Sequence, residues 1–309
     1  MKSIIGFLGV FFCLTNAQTL AAASSFPGVK TVFVIIEEND NWDDINDANM
    51  PYLWNTLLPM GSYAKQYYNP PGLHPSEPNY VWMEAGSNLG LTTDAPPSAA
   101  NSIKAKDHLV TYLDKAGISW KAYQEDIPGT DCPLTKVGKY APKHNPFVFF
   151  QDVTDNNSPS SAYCITHTRP MTELTKDLVN NTTARYNYIT PNLCNDMHDS
   201  CSTTVSREMI ADNWLKKIIP QIMNSKAYQD GGAIFITWDE GEGEDAAGKA
   251  IDGPIGMIVL SPLAKRNYSN TVHYTHSSLL RSLQEIFGIK PLLRGAASAR
   301  SLKDFFTNS

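Results

Sequence analysis

Two continuous apolar segments, each ending abruptly in polar residues, constrain the fold of this chain more than any other feature. The first covers residues 30–36 and is followed by acidic and amide side chains at residues 37–39; the second covers residues 232–238 and is followed by two acids at residues 239–240. A strand without polar alternation is typical of a parallel sheet that is covered on both faces. We therefore expect the chain to fold around such a sheet.

Other segments alternate between strand-like and helical patterns. Strands are predicted at residues 118–123, 186–190 and 255–260, and helices at residues 77–85, 102–116, 206–225 and 277–287. The alternation predicts an α/β fold with a mostly parallel central sheet and helices on both faces. Residues 129–170 are rich in turn formers and contain two cysteines. We therefore interpret them as a disulfide-bridged surface excursion rather than as part of the sheet.

The N-terminus has the order of a secretory signal peptide. A lysine precedes an apolar run at residues 4–14, and small residues follow as far as Ala23. The run is too short to span a bilayer. We expect a signal peptide at residues 1–23, with Ala17 as the alternative cleavage site, and one mature domain at residues 24–309. The mature protein is then secreted or periplasmic.

Composition limits the classes of partner. The chain of 309 residues is 42% hydrophobic and 18% charged, which is typical of a globular protein and not of a disordered or collagen-like one. Its net charge is −6, and the sequence contains no lysine and arginine cluster of the kind that follows a phosphate backbone. We therefore expect no nucleic-acid partner.

Four cysteines remain once Cys13 has left with the signal peptide: Cys132, Cys164, Cys194 and Cys201. Four cysteines allow three pairings in an oxidising compartment, and the short spacing favours Cys194 with Cys201, which leaves Cys132 with Cys164. A metal site is the alternative. The absence of a C-x-x-C spacing and the expected secretion favour disulfides.

The side chains that follow the two apolar strands are candidate metal ligands. Glu38 and Asn39 follow the first strand, and Asp239 and Glu240 follow the second. Ligands bind beyond the carboxyl ends of parallel strands, so these four oxygen-bearing side chains could surround one divalent cation. Such a set suits Mg²⁺, Ca²⁺ or Mn²⁺ better than Zn²⁺. Taken separately, either pair would be interpreted as ordinary turn or cap residues.

Ser76 is the candidate nucleophile. It precedes the predicted helix at residues 77–85, where Pro78 is tolerated in the first turn, and we expect it to be the N-cap residue. A helix N-terminus offers N–H groups and a positive dipole to a phosphate, and a neighbouring metal would lower the pKa of the serine hydroxyl. Capping alone would also explain a serine here.

Several histidines lie just beyond predicted elements. His198 follows the strand at residues 186–190, and His273 and His276 precede the last helix. A histidine in such a place could ligate a metal, bind phosphate or protonate a leaving group. His144 is a weaker candidate. The histidines interpreted as structural are His108 and His167.

Five of these segments, taken together, resemble a known family. They are VFVIIEEN at residues 32–39, HPSEPNY at residues 74–80, PNLCNDMH at residues 191–198, WDEG at residues 238–241 and THSSLLR at residues 275–281. In this order they resemble the phosphoesterase family, which holds bacterial non-haemolytic phospholipases C and metal-dependent acid phosphatases within the alkaline phosphatase superfamily. The resemblance runs from about residue 31 to residue 289 and implies the alkaline phosphatase fold.

The resemblance also implies roles for individual residues. The implied metal ligands are Glu38, Asn39, Ser76, Asp239 and Glu240, and the implied catalytic residues are Ser76, His198 and His276. We expect His74, Asn79 and Asp196, in the same segments, and His273, just before the last of them, to bind the substrate. The chain departs from the phospholipases at residues 37–40, and it is much shorter and lacks their C-terminal accessory domains. Both departures favour the acid phosphatase branch.

The sequence thus predicts a secreted metal-dependent phosphoesterase with a phosphoserine intermediate at Ser76. A phospholipase C or phosphodiesterase of the same family is the alternative, with a small phosphorylated substrate or a phospholipid headgroup as the partner in either case. A non-catalytic secreted protein that binds a phosphorylated or sugar ligand is the alternative of another class. One divalent ion is expected; a second, held by Asp196, His198 and His276, is also considered.

Overall fold

Strands and helices alternate along the described chain, which in this computed structural model comprises residue 26 and residues 28–243 and 251–307. The strands are β1 (Thr31–Glu37), β2 (Ser62–Ala64), β3 (Tyr67–Tyr68), β4 (Trp120–Gln124), β5 (Thr168–Pro170), β6 (Tyr186–Thr190), β7 (Gly232–Trp238), β8 (Met257–Leu260), β9 (Tyr268–Asn270) and β10 (Tyr274–Thr275). The signal peptide predicted at residues 1–23 lies outside the described residues.

The helices separate these strands. The α-helices are α1 (Leu58–Met60), α2 (Ser76–Ala85), α3 (Leu109–Lys115), α4 (Gln151–Thr154), α5 (Ala162–His167), α6 (Met171–Asn180), α7 (Arg207–Met223), α8 (Lys226–Gln229) and α9 (His276–Phe287). A π-helical turn spans Leu53–Leu57, and 3₁₀ turns span Trp42–Asp44, Pro142–His144, Pro146–Phe149, Arg294–Ala297 and Leu302–Phe305. Within the described ranges, no helix is both long and apolar enough to cross a membrane.

An eight-stranded sheet in the order β5-β4-β6-β1-β7-β8-β2-β9 forms the centre of the molecule. The strands from β5 to β7 pair in parallel, whereas β8 pairs antiparallel with both β7 and β2. Consecutive residues of a strand point to opposite faces, and residues 32–36 of β1 are all fully buried, so both faces of the sheet are covered. The predicted α/β fold with a mostly parallel sheet is confirmed.

The register of β1 and β7 positions the site. The two strands are adjacent and parallel, and Glu37 pairs with Trp238 at their last rung. Glu38 and Asp239 therefore leave neighbouring strands side by side at the carboxyl edge of the sheet. The sequence alone predicts that both pairs reach this edge, and the pairing makes them immediate neighbours.

The helix predicted at residues 102–116 is shorter than expected and begins only at Leu109, as α3. Ile103 instead forms an isolated bridge to Phe150. Its N–H donates to the carbonyl of Phe149 at 2.7 Å, and its carbonyl accepts from the N–H of Gln151 at 2.9 Å. A backbone that satisfies its hydrogen bonds across the chain cannot also satisfy them within a helix, so the prediction for residues 102–108 is wrong.

The segment at residues 129–170 is not a surface excursion. Its last three residues form β5, the edge strand beside β4, and Phe147, Phe149 and Phe150 are fully buried in the core. The abundance of turn formers correctly indicates short helices and turns, but hydrophobic burial places the middle of the segment inside the molecule. The prediction that it stays outside the sheet is wrong.

Two disulfides cross-link the chain, one between β4 and β5 and the other between β6 and β7. Cys132 is joined to Cys164 with a Cα–Cα distance of 5.4 Å, and Cys194 to Cys201 with a distance of 5.5 Å. Both distances are ordinary for disulfides, and this is the pairing that the spacing favours. The second disulfide closes the loop that carries the histidine predicted beyond β6.

Candidate active site

Glu38, Asn39 and Asp239 meet directly after β1 and β7. The backbone N–H of Asn39 donates to Oδ1 of Asp239 at 3.2 Å. Asn39 adopts a left-handed conformation with φ of 41°, which asparagine tolerates better than most residues. Asn39 Oδ1 and Asp239 Oδ2 are buried and have no hydrogen-bond partner among the described residues. Two buried acceptors without donors at one point are what a cation site requires.

Ser76 directs its hydroxyl into this cluster. The structure begins α2 at Ser76 itself, with Pro75 at the cap position and no side-chain capping bond in the described chain. The predicted capping role is therefore wrong by one residue. The buried Ser76 Oγ instead donates to Oε2 of Glu38 at 3.1 Å, so the hydroxyl faces the acidic cluster.

Glu240 faces α2 rather than the strand that it follows. Its Oε2 accepts a hydrogen bond from Asn79 Nδ2 at 2.8 Å and lies 3.1 Å from Nδ1 of His74. The other ring nitrogen of His74 lies 2.7 Å from Oδ1 of Asp252. The hydrogen bonds to Asp252 and Glu240 raise the pKa of His74 to about 10, so the ring is a cation between two carboxylates.

Burial dominates the electrostatics of the acidic cluster. It raises the pKa of Glu38 and Asp239 well above the usual range, and the neighbouring carboxylates Asp239 and Glu240, respectively, raise them further. Burial likewise raises the pKa of Asp196 and of Glu240. Buried carboxylates at this density are stable as anions only with a compensating positive charge. The cluster therefore has the charge as well as the oxygen atoms for a divalent ion.

His144 lies between two of the buried acids. Its Nδ1 is 3.0 Å from Oδ2 of Asp196 and its Nε2 is 3.1 Å from Oε1 of Glu38. Glu38 Oε1 also accepts a 2.6 Å hydrogen bond from the hydroxyl of Tyr80, whose ring stacks on His144. Burial lowers the pKa of His144. The ring is therefore neutral, with its proton on Nδ1 and the lone pair of Nε2 turned towards the cluster.

A carboxylate-oriented histidine of this kind is a common metal-ligand arrangement. Glu38, His144 and His198 offer ligand atoms that all lie within 4.8 Å of one another. His144 Nε2 is buried and makes no hydrogen bond to any residue that the structure describes. This set differs from the predicted one and shares Glu38 with it. No motif in the sequence marks His144, because it lies in the segment whose burial the sequence did not indicate.

His198 and Asp196 form a compact turn beyond β6. Asp196 Oδ1 accepts the backbone N–H of His198 at 2.9 Å, and Asp199 Oδ1 lies 2.9 Å from Nδ1 of His198. The other ring nitrogen, Nε2, is 2.9 Å from Nζ of Lys143. Burial, and then the charge of Lys143, lower the pKa of His198. The ring is therefore neutral at physiological pH.

His276 contacts the main chain of the cluster. Its Nε2 donates to the carbonyl oxygen of Asp239 at 2.6 Å, and its Nδ1 accepts from the hydroxyl of Tyr67 at 3.2 Å. The ring is fully buried, and burial lowers its pKa to about 4. Both ring nitrogens are thus engaged. The contacts fix the turn that carries Asp239.

His273 stands apart from the acidic cluster. Its ring stacks on Tyr68 at a centroid distance of 4.9 Å, and both residues line a cavity of about 670 Å³ that also borders Asp252. Asp252 connects this cavity to the cluster through His74. If His273 binds substrate as predicted, the contact lies in this cavity and not beside Ser76.

The structure thus brings most of the predicted residues together and adds others. The added residues are Tyr80, Asp94, Lys143 and Asp252, and His144, the weaker candidate among the histidines, lies in the cluster. Asp94, Lys143 and Asp252 belong to loops without a recognisable motif, so no signal in one sequence could have found them. Tyr80 lies inside the quoted HPSEPNY segment, one turn after Ser76, and its helical spacing was the available signal.

A sequence model described as the phosphoesterase family matches residues 46–290, which is most of the chain and includes the segments after β7 and before α9. The first block, at residues 32–39, lies just before the matched range.

The named relatives have low sequence identity to this chain but align with most of its length. The phosphate-repressible acid phosphatase of Penicillium chrysogenum is 28% identical over 235 residues, which are 74% of this chain and 53% of that protein. The probable acid phosphatase of Kluyveromyces lactis is 26% identical over 89% of this chain and 62% of its own length. The phosphatidylinositol-3-phosphatase of Mycobacterium tuberculosis is 27% identical over 94% and 87%. The chain spans between half and two thirds of the two fungal relatives.

Solved structures share the fold. Murine ectonucleotide pyrophosphatase/phosphodiesterase 5 in complex with AMP matches with a TM-score of 0.58 over 90% of this chain and all of that chain, at 10% identity. An alkaline phosphatase superfamily protein from Vibrio parahaemolyticus matches with a TM-score of 0.57 over 91% of this chain and 73% of that one, also at 10% identity. At such identities the similarity concerns the fold alone.

Proposed function

Because the chain belongs to the phosphoesterase family, we propose that it is a secreted, metal-dependent hydrolase of phosphate esters that uses Ser76 as its nucleophile. One observation carries the proposal. The Ser76 hydroxyl at the start of α2 points into a buried cluster where Asn39 Oδ1 and Asp239 Oδ2 have no hydrogen-bond partner in the described ranges. A hydroxyl, a helix N-terminus and ligand oxygens at one point suit phosphoryl transfer.

The donor set supports a resident divalent ion. The ion would be held by Glu38, Asn39, Ser76, Asp239 and Glu240, whose atoms are all oxygens and favour Mg²⁺, Ca²⁺ or Mn²⁺. The nearby nitrogen of His144 also makes Zn²⁺ chemically reasonable. When bound, the ion supplies positive charge that lowers the pKa of the Ser76 hydroxyl and offsets charge on the transferring group.

The protein side chains then act as follows. Ser76 Oγ forms a bond to phosphorus while the bond to the ester oxygen breaks, and the leaving oxygen departs with the electron pair. Glu38 Oε2, which accepts the Ser76 hydrogen bond, is placed to take the hydroxyl proton. Water then cleaves the phosphoserine, and Ser76 regains a proton. His74, held as a cation two residues before the nucleophile, has both ring nitrogens on the carboxylates of Asp252 and Glu240, so we assign it to orienting Glu240 and offsetting its charge.

The predicted role of His276 changes in this scheme. Its two ring nitrogens are occupied by Asp239 and Tyr67, so we assign it to positioning Asp239 rather than to proton transfer. The role of His198 depends on its contact with Lys143, whose Nζ lies 2.9 Å from Nε2 of the ring.

Substrate class and location follow from the relatives and the sequence. The fungal relatives are named acid phosphatases and the mycobacterial one a phosphatidylinositol-3-phosphatase, and all three names describe removal of a monoester phosphate. We therefore place this protein with phosphomonoesterases rather than with phospholipases C. The two disulfides and the N-terminal segment support secretion.

Purified protein lacking residues 1–23 is expected to hydrolyse 4-nitrophenyl phosphate and to lose this activity in EDTA. The reason is that the buried carboxylates need the ion's charge before a phosphate can approach. Release of 4-nitrophenol before chelation, after chelation and after restoring Mg²⁺, Ca²⁺ or Mn²⁺ measures this. Full activity in EDTA would contradict metal dependence, and absence of hydrolysis with every metal would favour the non-catalytic binding protein.

Among three substrates, 4-nitrophenyl phosphate is expected to react faster than bis(4-nitrophenyl) phosphate and phosphatidylcholine. A monoester dianion gains more than a diester anion or a zwitterionic lipid from the charge of a divalent cation at the site. The comparison uses kcat/KM for each compound under one set of conditions. Fastest turnover of phosphatidylcholine would instead support a phospholipase C.

A further inference from the structure

Lys143 is a cation beside the proposed active site that none of the sequence motifs includes. It lies in the 3₁₀ turn Pro142–His144, inside the loop that the disulfide between Cys132 and Cys164 closes. Its side chain is only 18% exposed. A lysine that is largely buried beside acids has a defined position and a defined set of partners, unlike an ordinary surface lysine.

One partner of Lys143 connects it to the nucleophile helix. Lys143 Nζ lies 2.9 Å from Oδ2 of Asp94, and Oδ1 of the same carboxylate accepts the backbone N–H of Glu77 at 3.0 Å. Glu77 directly follows Ser76 in the first turn of α2. Asp94 therefore holds the ammonium group next to the helix end from which the Ser76 hydroxyl projects.

The hydrogen bond from Glu77 to Asp94 reduces the number of backbone N–H donors that α2 can offer to a phosphate. Of the first N–H groups of α2, that of Glu77 is donated to Asp94, and Pro78 has none. The helix N-terminus therefore supplies fewer free donors than the sequence predicts. The binding of phosphoryl oxygens needs another donor at this position.

The second partner of Lys143 fixes the tautomer of His198. A lysine ammonium can only donate, so His198 Nε2, 2.9 Å from Nζ, is the acceptor. The proton of the neutral ring is then on Nδ1, where Asp199 Oδ1 accepts it at 2.9 Å. With its proton on the nitrogen that faces Asp199, His198 holds Lys143 and has no proton to give from Nε2.

The charge balance of the site indicates a function for the ammonium group of Lys143. Glu38, Asp239 and Glu240 are buried carboxylates at this end of the sheet, and one divalent ion offsets two of them at most. A phosphate monoester adds two further negative charges near neutral pH. Lys143 Nζ lies 2.9 Å from Nε2 of His198, a ligand atom of His198 lies within 4.8 Å of one of Glu38, and Glu38 accepts the hydrogen bond of Ser76. The ammonium group is therefore close enough to offset part of the charge of a substrate at Ser76.

We propose that Lys143 binds a non-bridging oxygen of the phosphoryl group during transfer to Ser76, and that Asp94 and His198 are positioning residues for its ammonium group. This proposal rests on the proposed function, since it concerns the same site. It assigns a specific ligand chemistry, a tetrahedral phosphate or phosphomonoester, to Lys143. It also replaces the proton-transfer role predicted for His198 with a positioning role.

The first test compares Lys143→Met, Lys143→Arg and the control Lys265→Met. Lys265 is a half-exposed lysine that pairs with Asp304 at 3.0 Å, away from the carboxyl edge of the sheet. Lys143→Met is expected to lower kcat/KM for 4-nitrophenyl phosphate by about 10²-fold, as removal of one preorganised donor does. Lys143→Arg should recover part of this loss, and Lys265→Met should behave like wild type.

Phosphate binding gives a readout that does not depend on turnover. Inorganic phosphate should compete at the site, and its dissociation constant, from calorimetry on the metal-loaded protein, should rise at least about tenfold in Lys143→Met. The metal-dependent gain in melting temperature should remain. The loss in kcat/KM should also be smaller for bis(4-nitrophenyl) phosphate, because a diester carries one negative charge fewer.

The second test separates positioning by His198 from proton transfer. His198→Gln keeps an acceptor that can reach Lys143, whereas His198→Ala removes it. We expect the Gln variant to retain clearly more activity than the Ala variant, and Lys143→Met with His198→Ala to be little worse than Lys143→Met alone. A general acid would give equal losses for Gln and Ala and multiplicative losses in the double variant, and that result would overturn the role assigned to His198.

The outcomes distinguish this inference from the proposed function. If wild type hydrolyses 4-nitrophenyl phosphate and Lys143→Met matches it in kcat/KM and in phosphate affinity, the inference fails and the proposed function stands. If wild type hydrolyses nothing, the proposed function fails, and the phosphate affinities still decide on Lys143. Should Lys143→Met not fold, kcat/KM and phosphate affinity are measured instead for Lys143→Arg, His198→Gln and His198→Ala.

Discussion

Replacing Ser76 with alanine is expected to lower the turnover of 4-nitrophenyl phosphate by roughly 10⁴-fold or more, the scale seen when a nucleophile is removed from a cooperating catalytic set. Without Oγ no phosphoserine forms, and the surrounding donors can only assist direct attack by water. The fold should survive. Ser76 Oγ makes its hydrogen bond to Glu38 and does not cap α2, so its loss costs about 1 kcal/mol.

A buried serine at the other end of the sheet provides the control. Ser261 Oγ donates to the carbonyl of Gly232, the first residue of β7, at 2.7 Å. Ser261→Ala should therefore cost similar stability and leave activity unchanged. The decisive measurement is acid-quenched labelling with a ³²P-monoester: wild type and Ser261→Ala should retain covalent label, and Ser76→Ala should not. Ordinary activity or label in well-folded Ser76→Ala would remove the nucleophile assignment.

Replacing Asp239 with alanine is expected to abolish most of the stabilisation that metal gives the wild-type protein. An ion that binds only the folded chain stabilises it by RT ln(1 + [L]/Kd), which is about 2.7 kcal/mol at a hundred times Kd. Asp239, a ligand in the proposed site, is a buried carboxylate whose Oδ2 has no hydrogen-bond partner within the described segments. Asp239→Ala should therefore show little gain in melting temperature over the metal concentrations that stabilise wild type.

Without metal the same variant should be as stable as wild type or more so. Burial and the neighbouring Glu240 raise the pKa of Asp239, so its charged form destabilises the metal-free fold at neutral pH. The sign follows from linkage: a carboxyl whose pKa is higher in the folded state costs stability as the pH rises above its unfolded value. Removing the carboxyl removes that cost.

Asp212 is the matched control for this comparison. Its buried carboxylate accepts the backbone N–H groups of Tyr52 and Leu53 at 2.9 and 2.8 Å, which is a structural contact between α7 and the start of the π-helical turn. Asp212→Ala should lose stability at every metal concentration and keep the wild-type metal response. Melting curves of the three proteins, chelated and then titrated with Mg²⁺, Ca²⁺ or Mn²⁺, decide the matter. A wild-type metal response in Asp239→Ala would exclude Asp239 as a ligand.

The sequence by itself determined the features that depend on short stretches of chain. The apolar and β-branched runs within residues 30–36 and 232–238 predict β1 and β7, because a strand without polar alternation has few stable environments other than the middle of a covered parallel sheet. The polar residues after them must then lie at one edge. The position of Ser76 at a helix start and the spacing of Cys194 and Cys201 are equally local, and the structure contains both features.

Only the tertiary structure decided which side chains complete the site. Lys143 and His144 reach it because Phe147, Phe149 and Phe150 bury the segment around them, and that burial depends on partners distant in sequence. Asp94 and Asp252 are similar cases, since each is held by contacts to residues in other loops. Hydrophobic burial and hydrogen-bond satisfaction are properties of the whole fold and override local pattern wherever the two disagree. For this reason the local sequence identified the strands and the candidate nucleophile, and the packed molecule determined the charges around them.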